Sequence, residues 1–175
     1  MKTILNLLLI ALAILACLSA FYLRWLPEAC IWKYFFVPFH ELLSIGVAGI
    51  VFYLYVEYKN DIRSKKKLVE NIADRVIQHT ADPCIYRIKE TQSIRHALII
   101  QRTIENELNL LEKYSSEFGF VDEMSYCKNM LNEYKNLIGE CVPDIKKFRE
   151  KENELEDKTT KLANKMECII SKLYK

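Results

Sequence analysis

Glycine and proline are scarce, four of each in 175 residues. Gly46 and Gly49 lie inside an apolar run, which leaves Gly119 and Gly139 for the rest of the chain. That excludes folds built on glycine-rich turns or phosphate loops: Walker-type ATPases, dinucleotide folds and many-turn β-sandwiches. Strand-like alternation is also lacking, so the expected class is all-α. Histidine is rare, with His40, His79 and His96 only. No Ser or Cys carries a local nucleophile motif. Paired carboxylates such as Glu154 with Glu156 and Asp157 fall in a charge-rich helical pattern and read as a solvated face. No enzyme is expected from this inventory.

The cysteines, Cys17, Cys30, Cys84, Cys127, Cys141 and Cys168, include no Cys-x-x-Cys pair. Cys127 falls on an apolar helical seam and reads as a small buried hydrophobe. A zinc site from His79, Cys84 and His96 lacks a fourth ligand and a standard spacing. Neither a metal nor a cofactor is therefore expected.

What is present is a sharp division between an apolar N-terminus and a charged remainder. Residues 3–23 contain no charge. A helix of that length covers roughly 30 Å, the thickness of a bilayer core. Residues 34–58 form a second run, with Pro38, His40 and Glu41 near its start and Glu57 near its end. Its uncharged centre, 42–56, is about 22 Å long and spans once the preceding phenylalanines are added. Tyr22, Trp25, Trp32 and Tyr34 bracket the runs on one side, and Tyr53, Tyr55 and Tyr58 on the other. Such amphipathic rings favour the headgroup level.

The pattern predicts a two-helix transmembrane hairpin over residues 1–58, with helices at about 3–23 and 34–58 and an external loop at 24–33. Lys59, Arg63, Lys65, Lys66 and Lys67 follow the second run, against Arg24 and Lys33 in the loop. The positive-inside rule puts both termini in the cytoplasm, Lys2 and the amino group holding the first one there. The same five cations suit anionic lipid headgroups. A second reading of the N-terminus is a lipoprotein signal with Cys17 as the lipidated residue. Leu15 fits that signal poorly, and the apolar stretch continues past Cys17. His40 and Glu41 form the one adjacent ionisable pair in either run. They read as headgroup-level residues or as the polar lining of a pore made by several hairpins. Ala13, Ala16 or Cys17, and Ala20 give the first helix a small-residue face, and Ser44, Ala48 and Gly49 give one to the second. Such faces suit packing within the hairpin or between copies.

Beyond the hairpin, a basic juxtamembrane stalk is expected at 59–80, with Ile62, Val69, Ile72 and Val76 as its apolar side. Asp82-Pro83 breaks it, because the residue before proline avoids the α region. A cytoplasmic helical bundle or coiled coil follows over 84–175. Its first helix reads from 84 to 118, with Ile94, Ala97, Gln101, Ile104, Leu108 and Leu111 on one face and Gly119 as C-cap. Asp122 is the expected N-cap of the next, which carries Met124, Cys127, Leu131, Tyr134 and Ile138 and ends at Gly139 and Pro143. The last, 144–174, places Ile145, Phe148, Glu152, Leu155, Thr159, Leu162, Met166, Ile169 and Leu173 on a seam. That seam suits either an intramolecular bundle or self-association.

Residues 59–102 hold ten Lys/Arg and five Asp/Glu, whereas 103–175 hold twelve and fifteen. Beyond the juxtamembrane cluster the basic residues are Arg75, Arg87, Lys89, Arg95 and Arg102, with His79 and His96 nearby. Arg95 and Arg102 are seven apart and share a helical face. These seven residues are the candidate anion site, since the planar guanidinium binds two phosphate oxygens at once. A solvated helix face is the plainer reading of the same charges.

The order of domains and the basic cluster from Lys59 to Lys67 resemble the small two-span membrane effectors of bacterial anti-phage defence, including those of type III CRISPR systems that respond to cyclic oligoadenylates. The resemblance implies a bacterial inner-membrane location and membrane disruption upon nucleotide binding. It carries over no binding residues. The expectation is a non-enzymatic membrane-embedded effector or signalling protein that oligomerises and binds an anionic nucleotide to perturb or gate the membrane. Its partners would be the lipid bilayer, further copies of itself and a cyclic nucleotide or protein partner, with no duplex nucleic acid. The alternative is a membrane-tethered coiled-coil scaffold, a partner subunit of a larger complex.

Overall fold

The computed structural model describes residues 2–25, 27 and 31–174. Leu26 and residues 28–30 lie outside the described residues, and with them most of the expected external loop and Cys30. So do the amino terminus and the side chains of Lys2 and Trp32, which entered the orientation and aromatic-belt expectations. Among the described residues every regular element is helical: α1 (Lys2–Trp25), α2 (Ile31–Thr80), a 3₁₀ turn (Pro83–Ile85), α3 (Thr91–Phe118), α4 (Val121–Cys141), α5 (Ile145–Glu150) and α6 (Glu152–Leu173). The chain divides into two compact units, Met1–Arg63 and Ser64–Lys175.

In the first unit, α1 carries a half-buried stripe of Leu12, Ala13, Ala16, Ser19 and Leu23. Along α2 the matching stripe is His40, Leu43, Val47, Ile50 and Leu54. Steps of three and four keep each stripe on one helical face. The stripes meet at Ser19, whose Oγ lies 2.8 Å from His40 Nδ1. Ser19 Oγ also lies 2.8 Å from the carbonyl of Ala16. The direction of its hydrogen bond with His40 is set by the imidazole tautomer. Ala13 and Ala16 serve this contact, whereas Cys17, Ala20, Ser44, Ala48 and Gly49 are exposed. Large apolar side chains such as Leu18, Phe21, Leu42, Ile45 and Phe52 are also exposed. Among the described residues one helix is long and apolar enough to cross a membrane, within Lys33–Thr80, and the apolar part of it is unburied. Pro38 sits inside α2 without ending it.

The second unit is an α-helical bundle. The apolar side expected of the stalk contributes to it: Val69, Ile72 and Val76 of α2, with Ala73, are core. Their 3–4 spacing gives that helix a face that only packing satisfies. The predicted faces of α3 and α4 are buried residue for residue, Gln101 included. On the last segment, Phe148, Leu155, Thr159, Leu162, Met166, Ile169 and Leu173 are buried, but Ile145 is exposed and Glu152 half-exposed. The seam is thus consumed inside the chain. Thr159 fits there because its hydroxyl donates to the carbonyl of Glu156 at 2.9 Å.

Several boundaries differ from the sequence reading. The helix expected from Cys84 starts at Thr91. Asp82 (φ −68°, ψ 118°) is extended before Pro83 and caps only the 3₁₀ turn, accepting from Cys84 N at 2.9 Å. The carbonyl of Ile85 accepts from the Tyr134 hydroxyl, which ties this segment to α4. Asp122 is not the N-cap of α4, because Phe120 holds that position and is fully buried. Gly119 turns the chain at φ 71° and Phe120 N bonds back to Ser115 O at 2.9 Å. Asp122 instead faces the positive helix terminus in the first turn. Gly139 does not end α4, which continues so that Ile138 and Cys141 both reach the core. The final helix is split at Lys151 into α5 and α6.

Candidate functional site

The connection between α2 and α3 positions the cations that stand out in the sequence. Ile85 and Ile88 anchor it, both buried. Ile88 is buried, whereas Arg87 and Lys89 on either side of it are exposed. Helix α5 lies across from them, capped by Asp144, whose carboxylate accepts from Lys146 N at 3.0 Å. Its Lys146 and Arg149 are three apart and share a face.

Together these elements form a cleft of about 470 Å³, lined by Arg87, Ile88, Lys89, Ile145, Lys146, Arg149, Glu150 and Glu152. Arg87 Nε is 3.3 Å from Glu152 Oε1, and its guanidinium carbon is 5.7 Å from the centre of the Tyr86 ring. Four cations face two carboxylates, so the cleft has a positive excess with one carboxylate already engaged. Arginine and lysine in this arrangement hold phosphate or carboxylate oxygens. Among the described residues the lining contains no Ser, Cys, Thr or His.

The structure distributes the predicted anion residues over separate places. Arg75 donates twice to Glu107, Nε to Oε1 and Nη2 to Oε2, both at 2.9 Å. That hydrogen-bonded carboxylate raises the Arg75 pKa and occupies its fork. His79 is half-buried in the last turn of α2. His96 Nε2 is 3.8 Å from Asp82 Oδ2. Arg95 and Arg102 share one groove of about 680 Å³ with Gln92, Ile94, Leu98 and Ile99. Only Arg87 and Lys89 reach the cleft at α5.

Lys146 and Arg149 were missed because the distal half of the chain is net acidic. The signal for them is local, a basic run just after the Asp144 cap. The juxtamembrane cluster also divides. Lys65 bonds Glu117 at 2.9 Å. Lys66 donates to the Leu173 carbonyl and lies 5.7 Å from the Tyr174 ring centre. Lys59, Arg63 and Lys67 are exposed, and Lys59 lies 5.9 Å from the Tyr55 ring centre. Glu41 is exposed beside the half-buried His40. Cys127 and Cys141 are buried, and burial pushes the Cys127 thiol up to about 12. Cys17, Cys84 and Cys168 are free and exposed.

No family model, curated protein or solved structure matches the chain.

Proposed function

We propose that the chain is a non-enzymatic, membrane-embedded signalling or effector protein whose helical bundle binds a phosphate-bearing ligand. The cleft of Arg87, Lys89, Lys146 and Arg149 is the observation that supports it most directly. The second support is the apolar, unburied stretch of α2. Helix α1 has 24 residues, about 36 Å, and its contact with α2 through Ser19 and His40 suits two antiparallel spans. The exposed Lys59, Arg63 and Lys67 then favour a cytoplasmic bundle in a bacterial inner membrane. The ligand acts by mass action: it shifts the membrane part only by its difference in affinity for two packings of the bundle. The resemblance to two-span defence effectors makes cyclic nucleotides the first class to try.

Full-length protein in detergent, titrated with cyclic oligoadenylates and with inorganic phosphate while its melting temperature is followed, tests this. A rise with a nucleotide, lost in Lys146→Ala plus Arg149→Ala, is the expected result. Indifference to every nucleotide, or a rise that survives the double variant, overturns it.

A second reading is a membrane-tethered scaffold. Leu98 and Ile99 are exposed between Arg95 and Arg102, and this outer face of α3 suits a protein partner or another copy. Because the α6 seam is filled, self-association belongs to a surface such as this one. Leu98→Ser plus Ile99→Ser would then lower the mass of the detergent-solubilised particle and leave the ligand response intact.

A further inference from the structure

Three chemically different metal-binding groups converge where α2 gives way to α3. Asp82 follows the end of α2, Cys84 lies in the 3₁₀ turn, and His96 is in the second turn of α3. One carboxylate oxygen, the Cys84 sulfur and one imidazole nitrogen all lie within 4.8 Å of one another. We propose that these side chains form a binding site for a divalent zinc-type cation, with three protein ligands and a fourth position open to solvent.

The local backbone prepares the site. Pro83 holds Asp82 extended, and Asp82 Oδ1 is fixed by Cys84 N at 2.9 Å. That leaves Oδ2 facing His96 Nε2 at 3.8 Å. A charge-assisted hydrogen bond between those two atoms would close to about 2.7–2.9 Å. Zinc bonds of about 2.0–2.3 Å require ligands about 3.3–3.7 Å apart in a tetrahedron. The observed spacing is therefore close to that of two atoms sharing a cation. Cys84 and His96 are exposed and Asp82 half-exposed, so the remaining adjustment is made by side chains without disturbing the core.

The donor set also selects the metal. Calcium and magnesium take oxygen ligands, whereas a thiolate with an imidazole suits zinc or its transition-metal neighbours. On binding, the cation replaces the thiol proton, which passes to solvent. One carboxylate, one thiolate and a neutral imidazole then balance a doubly charged ion. The sequence considered His79 as a partner of Cys84 and His96. Asp82 is the residue found there, and a lone aspartate two residues before a cysteine carries no recognised motif. This inference does not depend on the anion cleft.

The test uses full-length protein in detergent, stripped with EDTA, dialysed and loaded with zinc or cobalt alone. We expect one zinc retained per chain and, with cobalt, a thiolate-to-cobalt charge-transfer band. Cys84→Ser should abolish the band, whereas Cys168→Ser, at another exposed thiol, should keep it. Asp82→Asn, which preserves the turn cap, and His96→Gln should each weaken zinc binding by at least roughly tenfold. Circular dichroism verifies that each variant keeps its helical content. Absence of the cobalt band, or unchanged zinc affinity in Cys84→Ser, overturns the proposal.

Discussion

The hydroxyl of Tyr134, on α4, donates to the main-chain carbonyl of Ile85 at 2.5 Å, joining residues 49 apart in sequence. Tyr134 is buried, and burial pushes its pKa upward, so it stays a neutral donor. It fixes the segment that presents Asp82, Cys84, Arg87 and Lys89. Tyr134→Phe leaves a buried carbonyl without that donor, a loss of about 1–3 kcal/mol. Hydrogen exchange should speed up across residues 82–90 more than across α6. Equal acceleration everywhere would mean that the contact has no local role.

Glu123, on α4, receives Lys172 at 2.8 Å and lies 3.7 Å from Lys165, both on α6. The hydrogen bond from Lys172 holds its carboxyl below the usual glutamate value. A group depressed in the folded state contributes stability above its unfolded pKa, about 4.3. That contribution disappears as pH falls through the folded value. Denaturation midpoints should therefore drop as the buffer is taken from pH 5 towards pH 3. Glu123→Gln should flatten that part of the profile. An identical acid limb in both proteins would assign the pH sensitivity elsewhere.

The same substitution at two glycines should have opposite signs. Gly139 lies within α4 with open space where a Cβ would go, and Gly139→Ala should stabilise by about 1 kcal/mol through helix propensity. Gly119 has φ 71°, where a Cβ costs about 1–2 kcal/mol. Urea midpoints of the detergent-solubilised chain read both changes.

Arg75 provides a contrast with the cleft cations. Its pair with Glu107 is largely solvated on the arginine side, 47% exposed, so Arg75→Ala should cost under about 1 kcal/mol. Any nucleotide-induced rise in melting temperature should be unchanged in that variant. Loss of the rise would return Arg75 to the ligand set.

Apolar periodicity revealed much of the fold. The faces of α3, α4 and α6 follow from steps of three and four, since only one side of each helix can be buried. The αL cap at Gly119 was equally readable. What the pattern could not show was a tie between distant positions. The Tyr134–Ile85 bond, which anchors the segment before α3, links residues far apart in sequence. The sites were obscured for a related reason. Arg95 and Arg102 look alike in sequence to Arg87 and Lys89, but the loop sends the latter pair towards α5. Asp82 joins Cys84 and His96 only because the chain turns at Pro83.

Helix ends ordinarily fray, with their last carbonyls left to water. Here Lys66 covers the Leu173 carbonyl, and the Tyr174 hydroxyl donates to Glu70. The closing turn of α6 is thereby latched to the opening turns of the bundle's first helix. Peeling α6 away demands that both fastenings open together, so its final amides should exchange almost as slowly as those at its middle.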